Sequence, residues 1–95
     1  MLEKSIERRV VRDMKSIGCH VAKFIDGGRK GAPDRLCITP KGFDVFIETK
    51  TPTGELSDHQ IEYHDDLRKH RKLVVTINSS GEWVHWFDQN AWLLK

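Results

Sequence analysis

Two acidic residues and one lysine carry the clearest potential for chemistry in this sequence. Asp34 begins one strand-like segment, residues 34–39, whereas Glu48 and Lys50 end the next, residues 43–50. The Pro-Lys-Gly tripeptide between the two segments has glycine at the position that needs a positive φ, which is typical of a three-residue β-hairpin loop. The pattern therefore predicts a hairpin that gathers the two acids and the lysine at its open end.

The register of this hairpin follows from its loop. If Thr39 pairs with Phe43 across the loop, each further pair lies one residue along both strands, and Asp34 comes to lie opposite Glu48. Directly opposed residues point to the same face of a sheet with Cβ atoms about 5 Å apart. Lys50 shares that face because side chains alternate along a strand. A slip of one residue would place the two acids on opposite faces.

Two carboxylates at such close range repel each other unless a cation lies between them. Carboxylate pairs suit hard divalent ions, above all Mg²⁺ or Mn²⁺, which keep several waters and bind the phosphate oxygens of a substrate. Such an ion can activate a water, and a nearby lysine can orient that water or offset developing negative charge. From spacing alone, an exposed and salt-bridged strand face without an ion remains the alternative.

Residues 2–17 predict an amphipathic helix that ends at Gly18. Glu3 and Glu7 fall on the same arc as the apolar positions, which is unusual for acids unless they meet a cation. The alternative is the favourable placement of glutamate near a helix N-terminus. The apolar positions that define the helix are Leu2, Ile6, Val10, Met14 and Ile17.

The remaining elements complete the order α-β-β-β-α-β, followed by a small tail. Ser57 and Gln60 have the spacing of a capping box at the start of a second helix. Asp88 is predicted to cap a short last helix that ends near Leu94. The second helix is predicted over residues 57–70, and the further strands over residues 19–24, 73–77 and 83–87.

The composition predicts one domain over residues 1–95, with 38% hydrophobic and 32% charged residues. No apolar run reaches the roughly 20 residues that span a bilayer, and the N-terminus lacks an export signal, so we expect a cytoplasmic protein without membrane contact. Cys19 and Cys37 fit a reduced compartment better than a disulfide framework. The net charge of +2 permits nucleic-acid binding without indicating it.

Several short motifs together resemble the VRR-NUC (virus-type replication-repair nuclease) family, a member of the PD-(D/E)xK nuclease superfamily. The similarity runs from about Glu3 to Ile77. It implies an α/β (α+β) fold with a restriction-endonuclease-like core, in which helices flank a mixed sheet. It also implies a nuclease of a bacterial host or phage-infected cell. The motifs are Glu7, Gly31-Ala32-Pro33-Asp34, Glu48-Thr49-Lys50 and Gly54-Glu55-Leu56-Ser57-Asp58-His59-Gln60.

The resemblance implies a role for each residue of the hairpin site. Asp34 and Glu48 would bind Mg²⁺ or Mn²⁺ together with the backbone carbonyl of Thr49. Lys50 would be the catalytic lysine.

Two further positions of the resemblance stay open. Glu7 matches the helix acid of related junction resolvases, whereas Glu3, one turn earlier, matches a glutamate that is common in the family. Gln60 matches a glutamine that would help to hold the metal or a phosphate, and its alternative role is helix capping alone.

Contact with DNA requires cationic side chains near the predicted site. Arg29 and Lys30 lie in the glycine-rich loop of residues 26–31 that leads into the site, and they are the first candidates. The other candidates are Lys23 and, on the first helix, Arg8, Arg9 and Arg12.

Stand-alone members of the family resemble four-way-junction resolvases, which implies a symmetric dimer that cleaves branched DNA. Trp83, Trp86 and Trp92 are candidates either for the core or for the dimer contact. The alternatives are a flap-specific nuclease, a sequence-specific nuclease of restriction type, and a DNA-binding module without catalysis. The sequence shows no separate recognition element, and its acids and lysine are intact.

Overall fold

The computed structural model describes residues 3–95, so Leu2 of the predicted first helix lies outside the described residues. Every predicted element up to residue 77 is confirmed to within a few residues. The elements are α1 (Glu3–Ser16), β1 (His20–Lys23), β2 (Arg35–Ile38), β3 (Asp44–Thr49), α2 (Asp58–Lys69), β4 (Leu73–Ile77) and α3 (Ser80–Leu94).

The hairpin of β2 and β3 has the register that its loop predicted. Arg35 pairs with Ile47 in the antiparallel ladder, so the next position outward joins Asp34 and Glu48. Gly42 has a φ of 88°, the positive value that the last residue of the loop requires. Because the register is not shifted by one residue, the two acids lie on the same face at the open end of the hairpin.

The four strands form one mixed sheet in the order β1-β2-β3-β4. β2 pairs antiparallel with both β1 and β3, whereas β3 and β4 are parallel. Parallel neighbours require a crossover connection, and α2 supplies it. The mixed sheet flanked by helices confirms the predicted fold class.

Helices cover both faces of the sheet. Ile47 of β3 lies on the face of α1 and α3, within the main apolar core. Phe46 points to the opposite face, where the rings of Phe24 and of Tyr63 in α2 form an aromatic cluster. Since side chains alternate along a strand, Glu48 lies on the α2 face as well. The core on the first face includes Ile6, Val10, Met14, Val45, Val75 and Trp83.

The C-terminal element differs from the prediction. Residues 83–87 do not form a strand, because they lie within α3, whose N-cap is Ser79 and not Asp88. Aromatic side chains favour strands by propensity, but here their spacing of three and four residues packs a helix onto α1. Trp83 is fully buried, and its Nε1 donates a hydrogen bond to Asp13 of α1 at 2.8 Å.

Within residues 3–95, no helix has the length and apolar character needed to cross a bilayer. Cys19 and Cys37 are buried free thiols. Burial raises the pKa of both thiols, that of Cys37 to about 12, so both remain protonated packing groups.

The loop between β1 and β2 is anchored on α2. Asp26 accepts a hydrogen bond from the hydroxyl of Tyr63 at 2.8 Å. Arg29 donates to Asp66 at 2.8 Å, and its guanidinium lies 4.8 Å from the centre of the Tyr63 ring. These contacts hold the segment that precedes Asp34 at a defined place on the helix.

Gly31 completes this anchor. Its φ is 97°, and a Cβ atom at this position would overlap the backbone carbonyl of His59 in α2. Only glycine satisfies both the positive φ and the close approach. The position of Asp34 therefore depends on a backbone contact between the loop and α2.

We predict that Gly31→Ala destabilises the fold by about 3 kcal/mol, because it combines a left-handed backbone with an overlap in a packed site. The matched control is Gly42→Ala, which has a similar φ but no atom within 4 Å of the added Cβ. We expect the control to lose about 1 kcal/mol. Urea unfolding monitored by circular dichroism measures both, and equal losses would contradict the proposed contact.

Candidate active site

The structure brings three carboxylates together at the open end of the hairpin. Asp34 immediately precedes β2, Glu48 lies in β3, and Glu3 opens α1. One carboxylate oxygen from each residue lies within 4.8 Å of the others. The hairpin therefore contributes two acids to the cluster, and α1 contributes the third.

Asp34 is held in place by the adjacent strand. Its Oδ2 accepts one hydrogen bond from the backbone N–H of Thr49 at 2.8 Å and another from the Thr49 hydroxyl at 3.1 Å. Thr49 is itself fully buried. The sequence predicted a role for the Thr49 carbonyl, but it did not predict these two donors, which orient the first acid of the cluster.

Glu48 is buried without adequate compensation. Its side chain is 2% exposed, and its Oε1 has no hydrogen-bond partner among the described residues. Burial raises the pKa of Glu48, the negative charge of Asp34 raises it further, and His64 and Lys50 act in the opposite direction. A buried carboxylate without a partner is costly, and a bound cation would remove that cost.

His64 of α2 is a site residue that sequence analysis missed. It is fully buried, and its Nε2 lies 3.6 Å from the unpartnered Oε1 of Glu48. Neither ring nitrogen has a hydrogen-bond partner among the described residues. One feature of the sequence could have identified His64. It is a titratable residue one turn beyond Gln60, and it adjoins Tyr63 on the helix face that packs against the sheet.

The two candidate acids of α1 have different surroundings. Glu7 accepts a hydrogen bond from Nε of Arg35 at 2.7 Å, and both side chains are partly buried. Glu3, one turn earlier, is the acid that joins Asp34 and Glu48. The geometry therefore favours Glu3 over Glu7 as the helix acid, because Glu7 already has a cationic partner.

Lys50 and Gln60 flank the cluster in different ways. Lys50 follows β3 directly, and its charge is close enough to lower the pKa of Glu48. The side-chain oxygen of Gln60 accepts a hydrogen bond from the backbone N–H of Ser57 at 2.9 Å, which completes the predicted capping box. Helix capping therefore occupies the oxygen that would otherwise be available to a metal.

The predicted DNA contacts are divided between two surfaces. Arg29 contacts Asp66 and Tyr63 of α2, and the neighbouring Lys30 is exposed. The other cationic candidates, Lys23, Arg8 and Arg12, line a groove between α1 and the sheet. Arg9 lies outside that groove and pairs with Asp13 at 3.8 Å.

The residues of the cluster fit a hard divalent cation. All three side chains offer carboxylate oxygens, which are the ligands that Mg²⁺ and Mn²⁺ prefer. The unpartnered oxygen of Glu48 also favours a cation, since a cation would compensate a charge that burial otherwise penalises. Soft ligands such as thiolates do not occur in this cluster.

We predict that Glu48→Gln stabilises the metal-free protein by about 1 kcal/mol, which raises the Tm by at least about 4 °C. Because the pKa of Glu48 is raised in the folded state, the Glu48 carboxyl keeps its proton to a higher pH in the folded protein than in the unfolded chain. Stability therefore falls as the pH rises through that interval.

The gain from Glu48→Gln should accordingly increase with pH and vanish where Glu48 is protonated in both states. Thermal unfolding in EDTA across a pH series measures it. If Glu48→Gln lowered the Tm by the same amount at every pH, the buried charge would not be the source of the destabilisation.

We also predict that His64→Gln lowers the affinity for Mn²⁺ by about 10- to 100-fold, because Nε2 of the buried His64 lies 3.6 Å from the free oxygen of Glu48. Calorimetric titration measures this affinity, and circular dichroism verifies the fold. His85→Gln is the matched control, since His85 is exposed on α3. A folded His64→Gln variant with the affinity of the control would contradict the assignment.

Comparisons with known proteins identify the family of this chain. The family model of the VRR-NUC domain matches residues 3–81. A protein of Acyrthosiphon pisum secondary endosymbiont phage 1, named "Putative nuclease p44", is 35% identical over 77 residues, which cover 81% of this chain and 83% of the phage protein. A solved structure described as a VRR_NUC domain superposes with a TM-score of 0.84 at 28% identity, covering 93% of this chain and 95% of the other. The chain therefore belongs to the VRR-NUC family of nucleases.

Proposed function

We propose that this protein is a divalent-metal-dependent endodeoxyribonuclease that hydrolyses phosphodiester bonds in branched DNA. The observation that carries the proposal is the buried Glu48, whose unpartnered oxygen lies beside the carboxylates of Glu3 and Asp34. The family of the chain and the name of its phage relative support a nuclease. Mg²⁺ or Mn²⁺ is the cofactor that suits an all-oxygen cluster.

In this proposal each residue has a defined task. Glu3, Asp34 and Glu48 hold the cation, and the carbonyl of Thr49 is the fourth protein ligand that we propose. A cation held there supplies Lewis acidity towards the phosphate oxygens and the attacking water. Thr49 also fixes the Asp34 carboxylate through its N–H and hydroxyl. The ammonium of Lys50 orients the water and offsets negative charge that develops at the phosphate.

We further propose a symmetric dimer, and the tryptophans divide between two roles. Trp83 is buried in the core and Trp86 stacks on it, with ring centroids 5.4 Å apart. Trp92 is 68% exposed, and Leu93, which follows it in α3, is exposed as well. Leu93 and the exposed Phe43 line one surface groove. Exposed apolar side chains in one region favour a protein contact. This region lies at the closed end of the hairpin, so pairing there leaves the acids accessible to DNA.

The preference for branched DNA rests on the likeness of the family to junction resolvases and on the proposed dimer. Two identical sites related by a twofold axis suit a substrate in which two strands are cut symmetrically. Flap-specific or sequence-specific cleavage and binding without catalysis are the competing outcomes of the experiment below.

We predict cleavage of a four-way junction in Mg²⁺ or Mn²⁺, weaker cleavage of a flap and of a plain duplex, and no cleavage in EDTA. Gel electrophoresis of labelled strands measures all of these. Cleavage in EDTA would refute the role of the metal. Light scattering that shows a monomer at micromolar concentration, together with preferred cleavage of flaps, would refute the dimeric junction nuclease.

We predict that Lys50→Ala lowers turnover by at least about 100-fold, while the fold and the affinity for the junction remain largely unchanged. Lys69→Ala is the matched control, since Lys69 is exposed at the end of α2 and belongs to neither the acidic cluster nor the proposed dimer contact. Single-turnover cleavage measures the rate, and anisotropy in Ca²⁺ measures binding. A Lys50→Ala variant as fast as the control would exclude the proposed role of Lys50.

A further inference from the structure

A strongly cationic groove lies between α1 and the edge of the sheet. Its volume is about 420 Å³, and it is open to solvent. Six cationic side chains line it, against one acidic side chain, Glu7. The cations are Lys4, Arg8, Arg12, Lys15, Lys23 and Arg35.

Two walls build the groove. The cations of α1 recur at steps of three and four residues, so they share one face of the helix. Lys23 and Arg35 form the facing wall, since they pair with each other across β1 and β2. Between Lys4 and Lys15 the helix rises about 16 Å, which equals the axial rise of about five nucleotides in one strand.

Most of this charge is free of internal partners. Arg35 is paired with Glu7, and Nε of Arg12 is bonded to Asp13 at 3.1 Å. The lysines of the groove and Arg8 form no ion pair within residues 3–95. Four like charges along one cleft create a local positive potential, which attracts a polyanion.

The groove begins close to the acidic cluster. Glu7, which lines the groove, lies one turn beyond Glu3 of the cluster along α1. A strand with a phosphate at the cluster would therefore need to extend only about one helical turn, roughly 5 Å, to reach the groove. The volume of the groove is that of a small-ligand cleft, which admits one sugar-phosphate backbone but not a duplex.

We propose that this groove binds the phosphates of one DNA strand next to the phosphate that is cleaved. The inference rests on the proposed function and adds the path of the substrate to it. The path uses Lys4, Lys15 and Arg35 beside Lys23, Arg8 and Arg12. The loop residue Arg29 does not line the groove and contacts Asp66 and Tyr63 of α2 instead.

The test is the triple variant Arg8→Ala, Arg12→Ala and Lys15→Ala. Alanine is the best helix former, and all three positions are exposed, so α1 should remain folded. The matched control removes the same charge elsewhere, through Arg68→Ala, Lys69→Ala and Lys72→Ala, which are exposed positions outside the groove.

Binding of a fluorescent four-way junction is measured by anisotropy in EDTA over a series of salt concentrations, so that no cleavage is needed. We expect the groove variant to lose at least about tenfold in affinity, and its slope of log affinity against log salt to decrease in magnitude by about 2 to 3. Lys23→Ala, on the opposite wall, should reduce the slope by about 1. The charge-matched control should lose much less.

A groove variant that binds no more weakly than the control would overturn the proposal. Calorimetric titration with Mn²⁺ separates this failure from a failure of the proposed function. Unchanged metal affinity with intact junction binding would refute the groove alone, whereas wild-type protein that binds no Mn²⁺ would refute the metal-dependent nuclease.

Discussion

The buried carboxylate of Glu48 is the constraint on which the rest of the site depends. Its side chain points to the face of the sheet that α2 covers, where it lies beside the fully buried His64, so it cannot turn to solvent. Burial and the charge of Asp34 both penalise its ionised form, and Oε1 receives no hydrogen bond from the described protein. In the function that we propose, a divalent cation compensates this charge.

The surrounding elements keep that constraint in place. The hairpin register sets Asp34 beside Glu48, and the two donors of Thr49 fix the orientation of Asp34. Contacts between the β1–β2 loop and α2 define where the chain enters the site. Core packing of α1 through its apolar stripe places Glu3 over the same strand ends. Each of the three acids thus depends on a different part of the core.

Much of this arrangement could be predicted from the sequence, because it is governed by local rules. A three-residue loop ending in glycine fixes a hairpin register, and the register alone places Asp34 opposite Glu48. The capping box at Ser57 is also a local pattern, and it identified the start of α2. Glu3 and Glu7 were not separable by spacing, since both face the core side of α1. The ion pair of Glu7 with Arg35 is a tertiary contact that separates them.

The failures also have tertiary causes. Trp83 and its aromatic neighbours favour a strand by propensity, yet packing against α1 and a hydrogen bond to Asp13 make this segment helical. His64 carried no sequence signal of a partner, because its contact with Glu48 depends on how α2 crosses the sheet. The basic groove was only partly predictable, since its second wall comes from the pairing of Lys23 with Arg35.

The most direct test of this account is the location of Mn²⁺ by anomalous diffraction from crystals soaked in the ion. We expect a strong peak enclosed by the carboxylates of Glu3, Asp34 and Glu48, and no such peak in crystals of Glu48→Gln. Crystals of the wild-type protein without a peak at this place, or with the ion bound at Glu7 instead, would contradict the account.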